Sequence, residues 1–181
     1  MKFEFSSGRH IEWDTDPDFN PREDCTTICT MYCTDNRYFS LDAVLPSDFN
    51  PEEEKAKGNI VLPIYALVHS GVSLSTTPFN DPWDSGLCGY AVATPDQVMD
   101  CYGYYPRTKE DVESNIRNEV IEMNAYFDGN YIYIALYDER GNYLDCVDGV
   151  MTTTKSDFIE ALTYYFELTE EEKSELDNFE L

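Results

Sequence analysis

Apolar and polar positions change period several times along the chain, and each change predicts an element. Residues 2–5 and 10–13 alternate around Ser7-Gly8, which predicts a short hairpin. Residues 14–21 (DTDPDFNP) predict a loop from their Pro, Asp and Asn content. Residues 26–33 (TTICTMYC) are rich in β-branched side chains and predict a strand, and residues 36–43 continue it irregularly. A second loop is predicted over 46–58, with Glu52, Glu53 and Glu54 in a run. Residues 60–68 form a continuous apolar stretch and 87–93 another, so both predict buried strands.

The second half changes to helical spacing. Thr94-Pro95-Asp96-Gln97 predicts a helix start, with Thr as cap, Pro at the first turn and Gln reaching back; Gly103 ends it. A second helix is predicted from Thr108, with Asp111 in the capping position and Val112, Ile116, Val120 and Met123 on one face. It ends before Asp128-Gly129. Residues 130–137 alternate Ile132, Ile134 and Leu136 against Tyr131, Tyr133 and Tyr137, and a turn at 139–142 leads to a return strand over 143–150. Thr154 caps a helix with Phe158, Ile159, Leu162, Tyr165 and Phe166 as its buried stripe, and Thr169-x-x-Glu172 opens a short acidic helix. The order lacks regular β-α-β alternation, which predicts a single α+β domain with a largely antiparallel sheet and three to four helices. Within residues 1–181, 1–58 form an acidic N-terminal part, 59–105 an apolar central segment, and 106–181 a helix–hairpin–helix part.

Composition narrows the class. The 181 residues include 14 Tyr, 10 Phe and 2 Trp, too many for an intrinsically disordered chain. The longest apolar run, at 60–68, is too short to span a bilayer, and the alternating start predicts no signal peptide, so the chain is expected to stay in the cytoplasm where it is made. Charge changes the picture most. Thirty-six acidic against 12 basic residues give a net charge of −24. Such a chain repels nucleic acid and anionic membrane, which leaves basic proteins, cations or no partner at all, the charge in the last case serving only to keep the protein dispersed. A domain of this length is roughly 40 Å across, and ~40 Å of duplex DNA carries about 24 charges, so the charge suffices for a DNA mimic.

Three constellations invite chemistry. Cys25, Cys29 and Cys33 recur at a spacing seen in zinc sites, but Cys88, Cys101 and Cys146 are solitary, and in a strand the first three would be stretched over ~26 Å. Asp14, Asp16 and Asp18 imitate the start of a calcium loop, yet Phe19 stands where the glycine is needed. No metal and no cofactor is expected. The densest cluster runs from His69-Ser70-Gly71 to Trp83-Asp84-Ser85-Gly86. There a hydrolase can be sketched, with Ser70, Ser85 or Cys88 as nucleophile, His69 as base and Asp84 as its orienter. The alternative is a polar loop in which Asp84 and Ser85 hydrogen-bond the backbone of a turn closed by Gly86, Trp83 packs and His69 is a satisfied histidine.

Residues 65–90 (YALVHSGVSLSTTPFNDPWDSGLCGY) resemble a segment of small proteins carried by phages, plasmids and other mobile elements of gut Firmicutes. The stretch 129–149 resembles the same group, and Arg37-Tyr38 does so more weakly. In size and charge the chain is similar to anti-CRISPR inhibitors of the type II RNA-guided nuclease. The resemblance implies a non-enzymatic inhibitor of a basic nucleic-acid-handling host protein, foremost that nuclease, with His69, Ser70, Trp83, Asp84, Ser85 and Gly86 as the shared loop. The carboxylates expected to meet the partner's arginines are Asp14, Asp16, Asp18, Glu52, Glu53, Glu54, Glu170, Glu171, Glu172 and Glu175. An equally acidic inhibitor of a restriction complex is the other reading of the same charge.

Overall fold

The computed structural model describes residues 1–34, 39–103 and 107–179. Arg37 and Tyr38, and part of the irregular stretch expected at 36–43, lie outside the described residues. In chain order the elements are β1 (Lys2–Glu4), β2 (His10–Thr15), α1 (Pro21–Asp24), β3 (Thr30–Cys33), β4 (Ala43–Val44), α2 (Pro51–Ala56) and β5 (Ile60–Val68). There follow β6 (Val72–Ser75), β7 (Ser85–Ala93), α3 (Pro95–Tyr102), α4 (Lys109–Phe127), β8 (Tyr131–Tyr137), β9 (Tyr143–Met151), α5 (Lys155–Tyr165) and α6 (Glu170–Leu176). The fold is α+β, and its strand pairing is antiparallel except between β3 and β4. The strands form two sheets, and the short α1 and α2 join four longer helices. Two compact units result, Met1–Asn20 with Asp128–Leu181, and Pro21–Phe127. They cross the partition at 58 and 105 because β2 pairs with β8, more than a hundred residues away.

The first unit is a four-stranded sheet in the order β1-β2-β8-β9. The alternation read at 130–137 has its cause here: Ile132, Ile134 and Leu136 share a core with Ile11, Trp13, Phe158, Leu162 and Leu176. Each such side chain contributes about 1.5–3 kcal/mol on leaving water. Thr154 caps α5 as expected, with Asp157 completing a capping box, and the box expected at Thr169 and Glu172 forms. The stripe on α5 differs from expectation. Phe158, Ala161 and Leu162 are buried and Phe166 packs as the extended cap, but Tyr165 is half exposed. Gly149 sits at φ +64, where a Cβ would stand 2.4 Å from the Phe19 ring. Its N–H donates to Asp16 Oδ2 at 3.0 Å.

The second unit is a five-stranded sheet, β4-β3-β7-β5-β6, with α4 on one face. Val112, Ile116, Val120 and Met123 meet Ile64, Ala66, Leu74 and Ala91 in its core, as their spacing predicts. Asn124 on α4 secures the edge strand β6: its Oδ1 accepts from Leu74 N at 2.7 Å, and its Nδ2 donates to Leu74 O at 2.9 Å. At Gly89 a Cβ would fall 1.8 Å from the Tyr32 carbonyl oxygen, so only glycine lets β7 approach β3 there.

Two stretches of this unit differ from the sequence reading. The strand expected over 26–33 begins only at Thr30, because the preceding backbone bonds to side chains instead. Ile28 N and the Cys29 thiol donate to Glu119, which also takes Arg22 Nη1 at 2.5 Å. The loop expected over 46–58 contains α2, capped by Asn50 Oδ1, which accepts from Glu52 N and Glu53 N, with Pro51 in the first turn.

Candidate functional site

The loop singled out by its sequence is built on β5, β6 and β7, with β5 paired to both of the others. β5 and β6 are joined through His69-Ser70-Gly71, where His69 N donates to Gly71 O at 3.2 Å. Between β6 and β7 the chain runs through residues 76–84 and is held by its own polar side chains. Thr77 N donates to Ser75 Oγ at 3.0 Å. Asp81 Oδ1 accepts from Trp83 N at 2.8 Å and from Asp84 N at 3.0 Å, and the Ser85 hydroxyl donates to Asp81 O. Val68 N donates to Asp84 O at 2.9 Å, tying the turn to β5. These backbone hydrogen bonds hold the Asp81 carboxyl below its ordinary range, and His69 adds to the effect. An aspartate so placed is a lock on the turn.

The turn presents an aromatic ring. Trp83 is 90% exposed, the most exposed of the large apolar side chains among the described residues, and Leu87 follows it half exposed. Asp81 and Asp84 flank the indole in sequence. His69 Nε2 lies 4.0 Å from Asp84 Oδ2, with side-chain exposures of 77% and 44%. At that exposure solvent screens the pair and its net worth is small.

The same geometry does not assemble the sketched hydrolase. His69 and Asp84 are neighbours, but Ser85 spends its proton on the Asp81 carbonyl. The Cys88 thiol donates to Ile64 O at 3.2 Å, and burial beside Cys33 pushes it up to about 12, so it is neutral near pH 7. Ser70 is exposed in its bend. The first three cysteines also separate. Cys25 is exposed, Cys29 donates to Glu119, and the Cys33 thiol donates to Ala43 O at 3.7 Å.

The ten carboxylates expected to meet a partner divide into several kinds. Glu172 is a correction: it is 1% exposed, accepting from Ser7 Oγ at 2.7 Å, Arg9 Nη1 at 2.9 Å and Thr169 N at 3.0 Å, so it is a core ion and cannot reach a partner. Glu175 accepts from Ser6 N and Ser6 Oγ, which hold its carboxyl below the ordinary range. Asp16 accepts from Gly149 N and Asp18 N. Glu54 takes Lys57 Nζ at 2.6 Å and Asn59 Nδ2 at 2.7 Å, while Glu52 and Glu170 pair with Lys55 and Lys173. Asp14, Asp18, Glu53 and Glu171 are exposed, the first accepting from Thr15 N and the third from Asn50 Nδ2. In the first unit 19 acidic residues face five basic ones, a net charge of −14; in the second 17 face seven, a net charge of −10.

The structure overturns the expected packing of Trp83, and it gives the carboxylate hold on the turn to Asp81 instead of Asp84, with Gly86 already inside β7. Comparison with known proteins gives no match to a protein family, a curated protein or a solved structure. No helix among the described residues is long and apolar enough to cross a membrane.

Proposed function

We propose that this protein is a non-enzymatic inhibitor from a mobile element. It binds a basic, nucleic-acid-handling host defence protein, foremost the type II CRISPR nuclease, through exposed carboxylates and the ring of Trp83. The observation that carries the reading is the Trp83 turn: an indole 90% exposed on backbone pinned by Asp81, in a chain of net charge −24. An exposed ring on a pre-ordered turn loses little freedom on binding, and Trp is among the residues that most often dominate an interface. A partner rich in arginine complements it twice, by cation–π contact with the indole and by charge-assisted bonds to carboxylates such as Asp84. The resemblance of residues 65–90 to mobile-element proteins, and the size and charge shared with anti-CRISPR inhibitors, support the choice of target.

The test is binding to the purified type II nuclease loaded with guide RNA, at about 50 mM and 500 mM salt. Nanomolar to micromolar binding that weakens with salt, and competes with target DNA, is the expected result. Undetectable binding at both salt concentrations overturns the choice of target. Binding to a restriction complex in the same assay would redirect the reading to that partner class.

A further inference from the structure

The second unit carries a concavity whose charge runs against the rest of the chain. A cavity of 540 Å³ opens between the start of β5, the end of β7, α3 and the first turn of α4. Its floor is aliphatic: Val61, Ala93 and Val112 are buried core residues, and Val98 on α3 is half buried. Its rim carries Lys55, Arg107 and Lys109, three of the 12 basic residues of the chain, and no carboxylate lines it among the described residues.

The rim cations have partners that leave donors to spare. Lys55 meets Glu52 at 2.8 Å, Lys109 meets Glu113 at 3.5 Å, and Arg107 lies over the Tyr102 ring at 4.5 Å with Asp111 adding a charge interaction. An ammonium offers three donors and a guanidinium five, so these contacts do not exhaust them. Lys109 also opens the 19-residue helix α4, whose N-terminal end favours negative charge. The volume lies within the range of small-molecule sites, and an apolar floor with a few convergent charges is their usual lining.

We infer that this cavity binds a small organic anion, its apolar body on the Val61–Ala93–Val98–Val112 floor and its phosphate or carboxylate head between Arg107, Lys109 and Lys55. The assignment is independent of the inhibitor reading, since the cavity lies apart in sequence from the Trp83 turn and uses charge of the opposite sign.

Anilinonaphthalene sulfonate, an apolar body with one anionic head, is the probe, titrated by fluorescence into the full chain. One equivalent should bind, and the double variant Arg107→Gln/Lys109→Gln should bind about tenfold more weakly, the scale of a lost charge-assisted contact. Lys57→Gln, which removes an exposed cation outside the lining, should stay within twofold of the parent. The uncharged analogue phenylnaphthylamine should bind more weakly than the sulfonate and ignore the double variant. Melting curves confirm that each variant is folded. Equal affinity of the double variant, or tighter binding of the uncharged analogue, overturns the proposal. Displacement of the probe by adenosine monophosphate assigns a phosphate head, displacement by octanoate a carboxylate head, and displacement by neither also overturns it.

Discussion

Arg9 Nη1 lies 2.9 Å from Glu172 Oε2, joining the turn after β1 to the first turn of α6 across 163 residues of sequence. Glu172 is 1% exposed, and its neighbour Glu171 is exposed. Removing one partner of a buried ion pair strands the other, so Glu172→Ala should cost about 3–5 kcal/mol. Glu171→Ala should leave stability unchanged. Urea unfolding followed by Trp13 fluorescence, in a Trp83→Phe background that leaves one indole, reads the first unit by itself. Equal midpoints for the two variants would refute the distinction.

Glu122 on α4 lies beside the Arg22–Glu119 network, and burial together with the negative charge of Glu119 pushes its carboxyl above the ordinary range. A carboxyl raised in the folded state binds protons more readily folded than unfolded. Stability from this group therefore grows as pH falls through its folded value, and ionised Glu122 is a cost near pH 7. Glu122→Gln should raise the melting temperature at pH 7, and the gain should shrink as pH approaches 4. A lower melting temperature at pH 7 would contradict this.

The cysteines should separate by rate of alkylation. Cys146 and Cys25 are exposed, and Cys25 is slowed because burial and the charges of Glu122 and Asp24 raise its thiol. Cys88, pushed up to about 12 and donating to Ile64 O, has almost no thiolate at pH 8. Iodoacetamide labelling of the native chain, mapped by mass spectrometry, should mark Cys146 first and Cys25 next, with Cys88 protected. Rapid labelling of Cys88 would restore it as a nucleophile.

Trp83→Ala should separate binding from folding. A side chain 90% exposed contributes little to the core, so melting should not change. If the indole anchors the partner, affinity should fall about thirtyfold or more, the scale of a hot-spot residue. Surface plasmon resonance against the bound partner measures this, and an unchanged dissociation rate would remove Trp83 from the interface.

Local signals in the chain carried far. The capping residues Thr94, Thr154 and Thr169 start helices where they stand, at α4 Thr108 takes the cap expected of Asp111 and bonds reciprocally with it, and Ile60–Val68 is a strand over the same nine residues as the apolar run. Asn50 and Pro51 start α2 inside a stretch expected to be a loop. The candidate site was legible as a polar turn held in part by Ser85, but neither its lock at Asp81 nor its exposed ring was.

Sequence alone determined what depends on near neighbours: the alternation at β8, the spacing on α4, the caps, and a net charge of −24. It could not assign roles to individual carboxylates, because Glu171 and Glu172 look alike until Arg9 and Ser7 arrive from the other end of the chain. Tertiary structure also decided that β2 joins β8, that Glu119 meets Arg22, and that Lys55, Arg107 and Lys109 line one cavity. The reason is physical. Caps and periodicity act over three or four residues, whereas burial and charge pairing depend on which distant segments come to share the same few ångströms.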